Sequence, residues 1–186
     1  MASALTFKDH TTCMTFTFPC SACGGTHTGM PSFGADAPWL YEQIAPDERE
    51  ARCSIDSDGC IIDNLHHFVR ATLDIPVHGQ QEPFTWGVWV SLSEDSFNTW
   101  DLHFNEARRA HVGTFFGWFS SRLPGYPETL NLKTRVHLRD DGVRPLIELE
   151  PTDHPLAVEQ REGMSLERVA QLHALLVHGM SEDDHG

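Results

Sequence analysis

LNLKTRVHLRDDGVRPLIELEP, residues 130–151, decides the fold class. Asp141-Gly142 is a strong two-residue hairpin signal, because both residue types tolerate the positive φ such a turn needs. Folding the chain back about it predicts Arg135 opposite Glu148 and Lys133 opposite Glu150 on one face. The other face then pairs Val136 with Ile147 and Thr134 with Leu149. A single turn thus yields a charged side and an apolar side, the pattern of an antiparallel ladder lying on a core.

Outward from the hairpin, FTWGVWVSLS (84–93) places Phe84, Trp86, Val88, Val90 and Leu92 at period two. HHFVRATLDIPV (66–77) puts Val69, Ala71, Leu73 and Ile75 on one face. CIID (60–63) and TTCMTFTF (11–18) read as further strands, and TFFGWFSSRLPGYPETL (114–130) as a strand followed by an ordered loop. Ser93 is positioned to cap a helix whose first turn carries Glu94 and Asp95, with Phe97, Trp100 and Phe104 as its apolar stripe. Ser165 caps another, with Leu166, Val169, Leu172 or His173, and Leu176, ending near Gly179. Residues 36–50 read as short helical turns broken by Pro46. The expected fold is α+β: a single domain with an antiparallel sheet, a few packed helices and an N-terminal Cys-x-x-Cys, zinc-knuckle-like corner. Its expected limits are an N-terminal extension over 1–17, the domain over 18–178 with a Cys-rich lobe at 18–60, and a polar tail over 179–186.

Composition narrows the function classes. The chain has 186 residues and a formal charge of −14, with Lys8 and Lys133 its only lysines. That balance argues against a nucleic-acid partner, which requires clustered cations. No apolar run reaches the roughly 18–20 residues that cross a bilayer, and the N-terminus lacks the basic start and apolar centre of a secretory signal. The expectation is a soluble, cytoplasmic protein without membrane association. Its acidity serves solubility, or steers it toward a basic protein partner, as in an immunity-type inhibitor. Oligomeric state is not legible.

The chemistry concentrates in FPCSACGGTHTGMP (18–31). All five cysteines (Cys13, Cys20, Cys23, Cys53, Cys60) lie in the first third of the chain. In a reducing compartment that clustering favours metal or redox chemistry over a disulfide framework. A C-x-x-C turn presents two thiolates to one metal, and Gly24 lets the backbone turn tightly behind them. His27 supplies an imidazole. A fourth ligand must come from elsewhere; Cys60 is the first choice and Cys53 the second. The expected cofactor is therefore a closed, structural zinc. The first alternative is a metal-free loop with buried free cysteines; a thiol redox pair comes last, because no βαβ pattern surrounds the motif.

Other candidates are weaker. Asp153, His154 and Glu159 could form an acid–base group near Arg122 and Trp89, as in a hydrolase-like enzyme, but local capping explains Asp153 and His154 better. No nucleophile sits in a G-x-S-x-G elbow. The histidines at 66, 67, 78, 103 and 111 lack an H-E-x-x-H context and read as surface or packing residues.

Four segments carry a resemblance: Cys20-Ser-Ala-Cys23-Gly24 with His27, FTWGVWVSLS, GWFSSRLPGYPETLNLKTRVHLR and RPLIELEPTDHPLAVEQREG. Through them the chain resembles bacterial domain of unknown function 2199, over residues 18 to 176. The resemblance implies Cys and His at positions matching Cys20, Cys23 and His27, and Cys at the position of Cys60; it implies no activity. Cys13 and Cys53 look particular to this chain. The expectation is a zinc-binding, non-enzymatic protein with a protein-binding or regulatory role.

Overall fold

The computed structural model describes residues 17–20 and 22–179. Residues 11–16 of the expected 11–18 strand, Cys13 among them, and the tail beyond Gly179 lie outside those residues.

Two long strands organise the molecule. β6 (His66–Ile75) and β7 (Phe84–Leu92) pair antiparallel along their whole length, from His67 against Leu92 to Ile75 against Phe84. Their period-two residues share one face, and Val69, Ala71, Leu73, Ile75, Phe84, Val88 and Val90 are fully buried on it. β8 (Thr114–Phe119), β9 (Lys133–His137) and β10 (Leu146–Leu149) follow antiparallel from β7. The ring closes where Leu146 of β10 pairs with Thr72 of β6.

That closure is parallel, so the expected antiparallel sheet is corrected to a mixed five-stranded barrel. The reason is parity: five strands alternating in direction around a ring must meet once with the same sense. A second parallel pairing sets β3 (Ser32–Gly34) beside Thr85–Gly87 of β7. On the opposite flank β5 (Gly59–Ile62) pairs with the first half of β6, and β4 (Cys53–Ile55) with β5.

The hairpin register is the one expected, with Val136 opposite Ile147, Glu148 opposite Arg135 and Leu149 opposite Thr134. Asp141 and Gly142 both have positive φ, 57° and 70°. Lys133 reaches Glu150 at 3.4 Å, whereas Glu148 takes His137 at 3.2 Å.

Helices pack onto this barrel, two of them starting at the expected serine caps. α1 (Trp39–Glu42) and α2 (Arg49–Arg52) are the short turns on either side of Pro46. Ser93 accepts from the N–H of Ser96 and starts α3 (Glu94–Leu102); Phe97 and Trp100 enter the core. α4 (Pro155–Glu162) buries Leu156 and Ala157. α5 (Leu166–His178) begins at Ser165, which accepts from the N–H of Arg168, and ends at Gly179 in the left-handed region. It buries Val169, Leu172, His173 and Ala174.

Outside the barrel, β1 (Thr17–Pro19) and β2 (Thr26–Thr28) form a separate two-stranded hairpin, with Phe18 opposite His27. Such a short hairpin is marginal alone and must be held by something else.

Candidate metal centre

The C-x-x-C turn joins β1 to β2. The N–H of Gly24 donates to the Cys20 carbonyl at 3.0 Å, and the N–H of Cys20 donates to the Gly25 carbonyl at 2.8 Å. Gly24 has φ +68°, a conformation that a side chain strains. The turn aims backbone N–H groups back at sulfur. The N–H of Cys23 holds the Cys20 thiol below its usual pKa, opposed by burial, with the Ala22 N–H and the Cys23 side chain assisting. A thiol so placed is prepared for the anionic form that metals take.

Cys20 is buried and Cys23 exposed, and Cys23 Sγ lies 3.5 Å from His27 Nε2. The fourth member comes from the far end of the chain: His178, the last residue of α5. One ligand atom from each of Cys20, Cys23, His27 and His178 fits within a 4.8 Å spread. Two sulfurs and two imidazoles at that spacing suit one tetrahedral zinc, whose bonds of about 2.0–2.3 Å keep ligands within about 4 Å of one another.

Rings fix the arrangement from beneath. Phe18, only 2% exposed, stacks on His27 at 5.6 Å and meets His173 edge-on at 5.1 Å. His173 lies 4.2 Å from His27 and 6.0 Å from His178, centroid to centroid. It is buried, its Nδ1 has no hydrogen-bond partner among the described residues, and burial, followed by the neighbouring His27 and His178, lowers its pKa. Phe33 links it to Phe84 and Trp86 in the barrel core. The hairpin is thus seated on α5 through aromatic packing, and α5 through its apolar side on the barrel.

Cys60, the expected fourth ligand, lies elsewhere. It sits in β5, packed in a second core cluster with Ile44, Ile62, Phe68 and Trp89, with Cys53 at its margin. Burial pushes its thiol up to about 12. This is a packing cysteine, and the structure brings His178 to the position assigned to it. His178 carries no local motif; only the docking of α5 under the hairpin reveals it.

The other candidates disperse. His154 is the N-cap of α4, its Nδ1 accepting the N–H of Leu156 at 3.2 Å, while Asp153 is exposed. Glu159 is engaged by the Tyr126 hydroxyl and by Arg168 Nε at 3.1 Å. Arg122 pairs with Glu128 at 2.8 Å and stacks over Trp39. Trp89 is fully buried and donates to the Ala35 carbonyl at 3.1 Å, so the 35–44 segment covers it. Arg122 and Tyr126 line one surface pocket together with Leu123, Pro124 and Glu128 of the same loop. Among the described residues, no helix is long and apolar enough to cross a membrane.

Fold and site together define an α+β barrel protein bearing a Cys/His cluster at its edge. The chain belongs to DUF2199, a family described as an uncharacterized protein conserved in bacteria, whose family model matches residues 19–164. No curated protein and no solved structure matches it. The match takes in Cys20, Cys23 and His27 and stops before α5, so His178 falls outside it.

Proposed function

We propose that Cys20, Cys23, His27 and His178 hold a structural zinc that fastens the β1–β2 hairpin to the end of α5. The convergence of two thiols and two imidazoles from opposite ends of the chain within 4.8 Å carries this reading. With four protein ligands the site is closed and leaves no position for a catalytic water. The role that follows is scaffolding: a metal-fastened domain that binds another protein. A charge of −14 favours a basic partner, steering its approach in a salt-dependent way. His154 and Glu159 are each engaged in structural hydrogen bonds, which favours binding over catalysis.

Elemental analysis of protein purified without chelator, together with thermal unfolding before and after chelation, tests the metal. One zinc per chain and a lower melting temperature on chelation are expected. Protein with intact thiols that neither carries nor takes up zinc refutes it.

A further inference from the structure

The two sulfurs of the cluster differ sharply in access. Cys23 is exposed, whereas Cys20 is 2% exposed beneath the turn. Both belong to one C-x-x-C turn, and their sulfurs lie within 4.8 Å of each other. C-x-x-C spacing permits a disulfide between its own cysteines without moving other elements. The two imidazoles come from different elements, β2 and the end of α5. Joining the sulfurs therefore removes both anionic ligands from the metal and leaves two neutral ones on separate elements.

We propose that Cys23 is an oxidation site for hydroperoxides, and that a Cys20–Cys23 disulfide opens the metal clasp. The inference rests on the zinc reading above. Cys23 thiolate attacks one oxygen of hydrogen peroxide, the O–O bond breaks, and Cys23 becomes a sulfenic acid while hydroxide leaves and takes a proton. Cys20 thiolate then attacks the Cys23 sulfur, forming the S–S bond and expelling a second hydroxide, which is also protonated. Two sulfurs lose two electrons in all, peroxide is reduced to two waters, and the zinc ion departs with its charge no longer balanced by thiolates. A dithiol reductant reverses the step by exchange and restores the ligands.

Burial sets the order: the exposed sulfur reacts with the oxidant and the buried one resolves it. The second buried thiol, Cys60, is a poor competitor. Cys60 is buried with its thiol pushed up to about 12, and thiolate is the reactive form. The structural consequence follows from the packing. Among the described residues the hairpin pairs only with itself, and Phe18, His27 and His173 meet beneath it. Releasing the metal loosens the lid over these rings and over Phe33.

Zinc-loaded full-length protein treated with hydrogen peroxide tests this, with released zinc read by a chromogenic chelator and thiols mapped by peptide mass. One zinc released for every two thiols lost, a Cys20–Cys23 disulfide, and recovery of zinc binding after dithiothreitol are expected. A 1,3-diketone probe present during oxidation should label Cys23 and not Cys20. In Cys23→Ser, peroxide-driven zinc release should slow by at least ~10-fold. If that variant fails to take up zinc, the probe result on the wild-type protein decides. Zinc retained while other cysteines oxidise, or oxidation of Cys23 to sulfinic acid without a disulfide, overturns the redox proposal and leaves the metal reading standing. Protein that never binds zinc overturns both.

Discussion

Consider alanine at position 178 and, separately, at position 60. His178 is exposed at the helix end, so with zinc chelated its loss should change stability by less than about 0.5 kcal/mol. Its cost should appear only when metal is present. Zinc at about 100 times its dissociation constant adds about 2.7 kcal/mol to the native state. Losing a direct ligand should weaken the site by at least the ~10–100-fold that disturbing an outer-shell partner costs. At the same free zinc, the increment then falls to roughly 0.4–1.4 kcal/mol. For a chain of this length, about 2–4 °C accompanies each kcal/mol, so His178→Ala should lose roughly 3–9 °C of the zinc-dependent rise. Cys60→Ala should do the reverse. Cys60 is 1% exposed in a packed cluster, and deleting one heavy atom there costs roughly 0.5–1.5 kcal/mol with or without metal. Its zinc increment should be unchanged. Thermal and urea unfolding of the three proteins, each in chelator and in buffered zinc, gives all six numbers. If Cys60→Ala abolishes the zinc increment while His178→Ala keeps it, the ligand set drawn from the structure is wrong and the one expected from sequence is right.

Three further outcomes test the fold. A Cβ at Gly117 would stand 2.3 Å from Val90 Cγ1 and 2.9 Å from the Ser91 carbonyl, so Gly117→Ala should destabilise by about 1–3 kcal/mol through overpacking. Val90→Ala should relieve part of that, and a strictly additive double mutant in urea unfolding would refute the clash. Buried Arg109 donates to the carbonyls of Phe104, Arg139 and Val143 at 2.8, 2.9 and 3.0 Å. Arg109→Met strands all three, at about 1 kcal/mol or more each; a total loss under about 1 kcal/mol contradicts the network. Burial, then the Glu159 carboxylate, raises the Tyr126 pKa well above its usual value. The unfolded chain ionises this phenol near about pH 10 while the folded chain does not, so stability should fall as pH rises beyond that point. Tyr126→Phe should flatten the fall, and an unchanged alkaline stability profile would count against the assignment.

Much of the barrel was legible because its signals are local. The period-two faces of 66–77 and 84–93, the Asp141-Gly142 turn and its register, and the serine caps at 93 and 165 each need only neighbouring residues. What escaped was how the strands close. Leu146 meets Thr72 across more than seventy residues, and β3 joins β7 after a long excursion; neither pairing leaves a mark on the segments involved. The parallel sense of the closing pair follows from the ring having five strands, a count available only once the sheet is known to close.

The candidate site divides along the same line. Cys20, Cys23 and His27 announce themselves because one turn and one short strand hold all three. The fourth ligand depends on which distant element docks there, and spacing is silent on that. Cys60, the expected fourth ligand at a turn entering a strand, is instead delivered to an apolar cluster against Trp89, where desolvation disfavours a thiolate. His178 had no such signal, being one of twelve histidines in the chain and lying in a helix that sequence marks only by its apolar stripe. The rings explain why it arrives: Phe18 and His27 need cover, His173 supplies it, and seating His173 carries the end of α5 to the C-x-x-C turn. Aromatic packing thus accounts for the place of the helix end without a metal. His173→Ala should therefore weaken zinc binding without removing any of the four ligands, and zinc affinity by competition with a chromogenic chelator measures it. An unchanged affinity would mean that the metal, rather than the aromatic seat, positions the helix end.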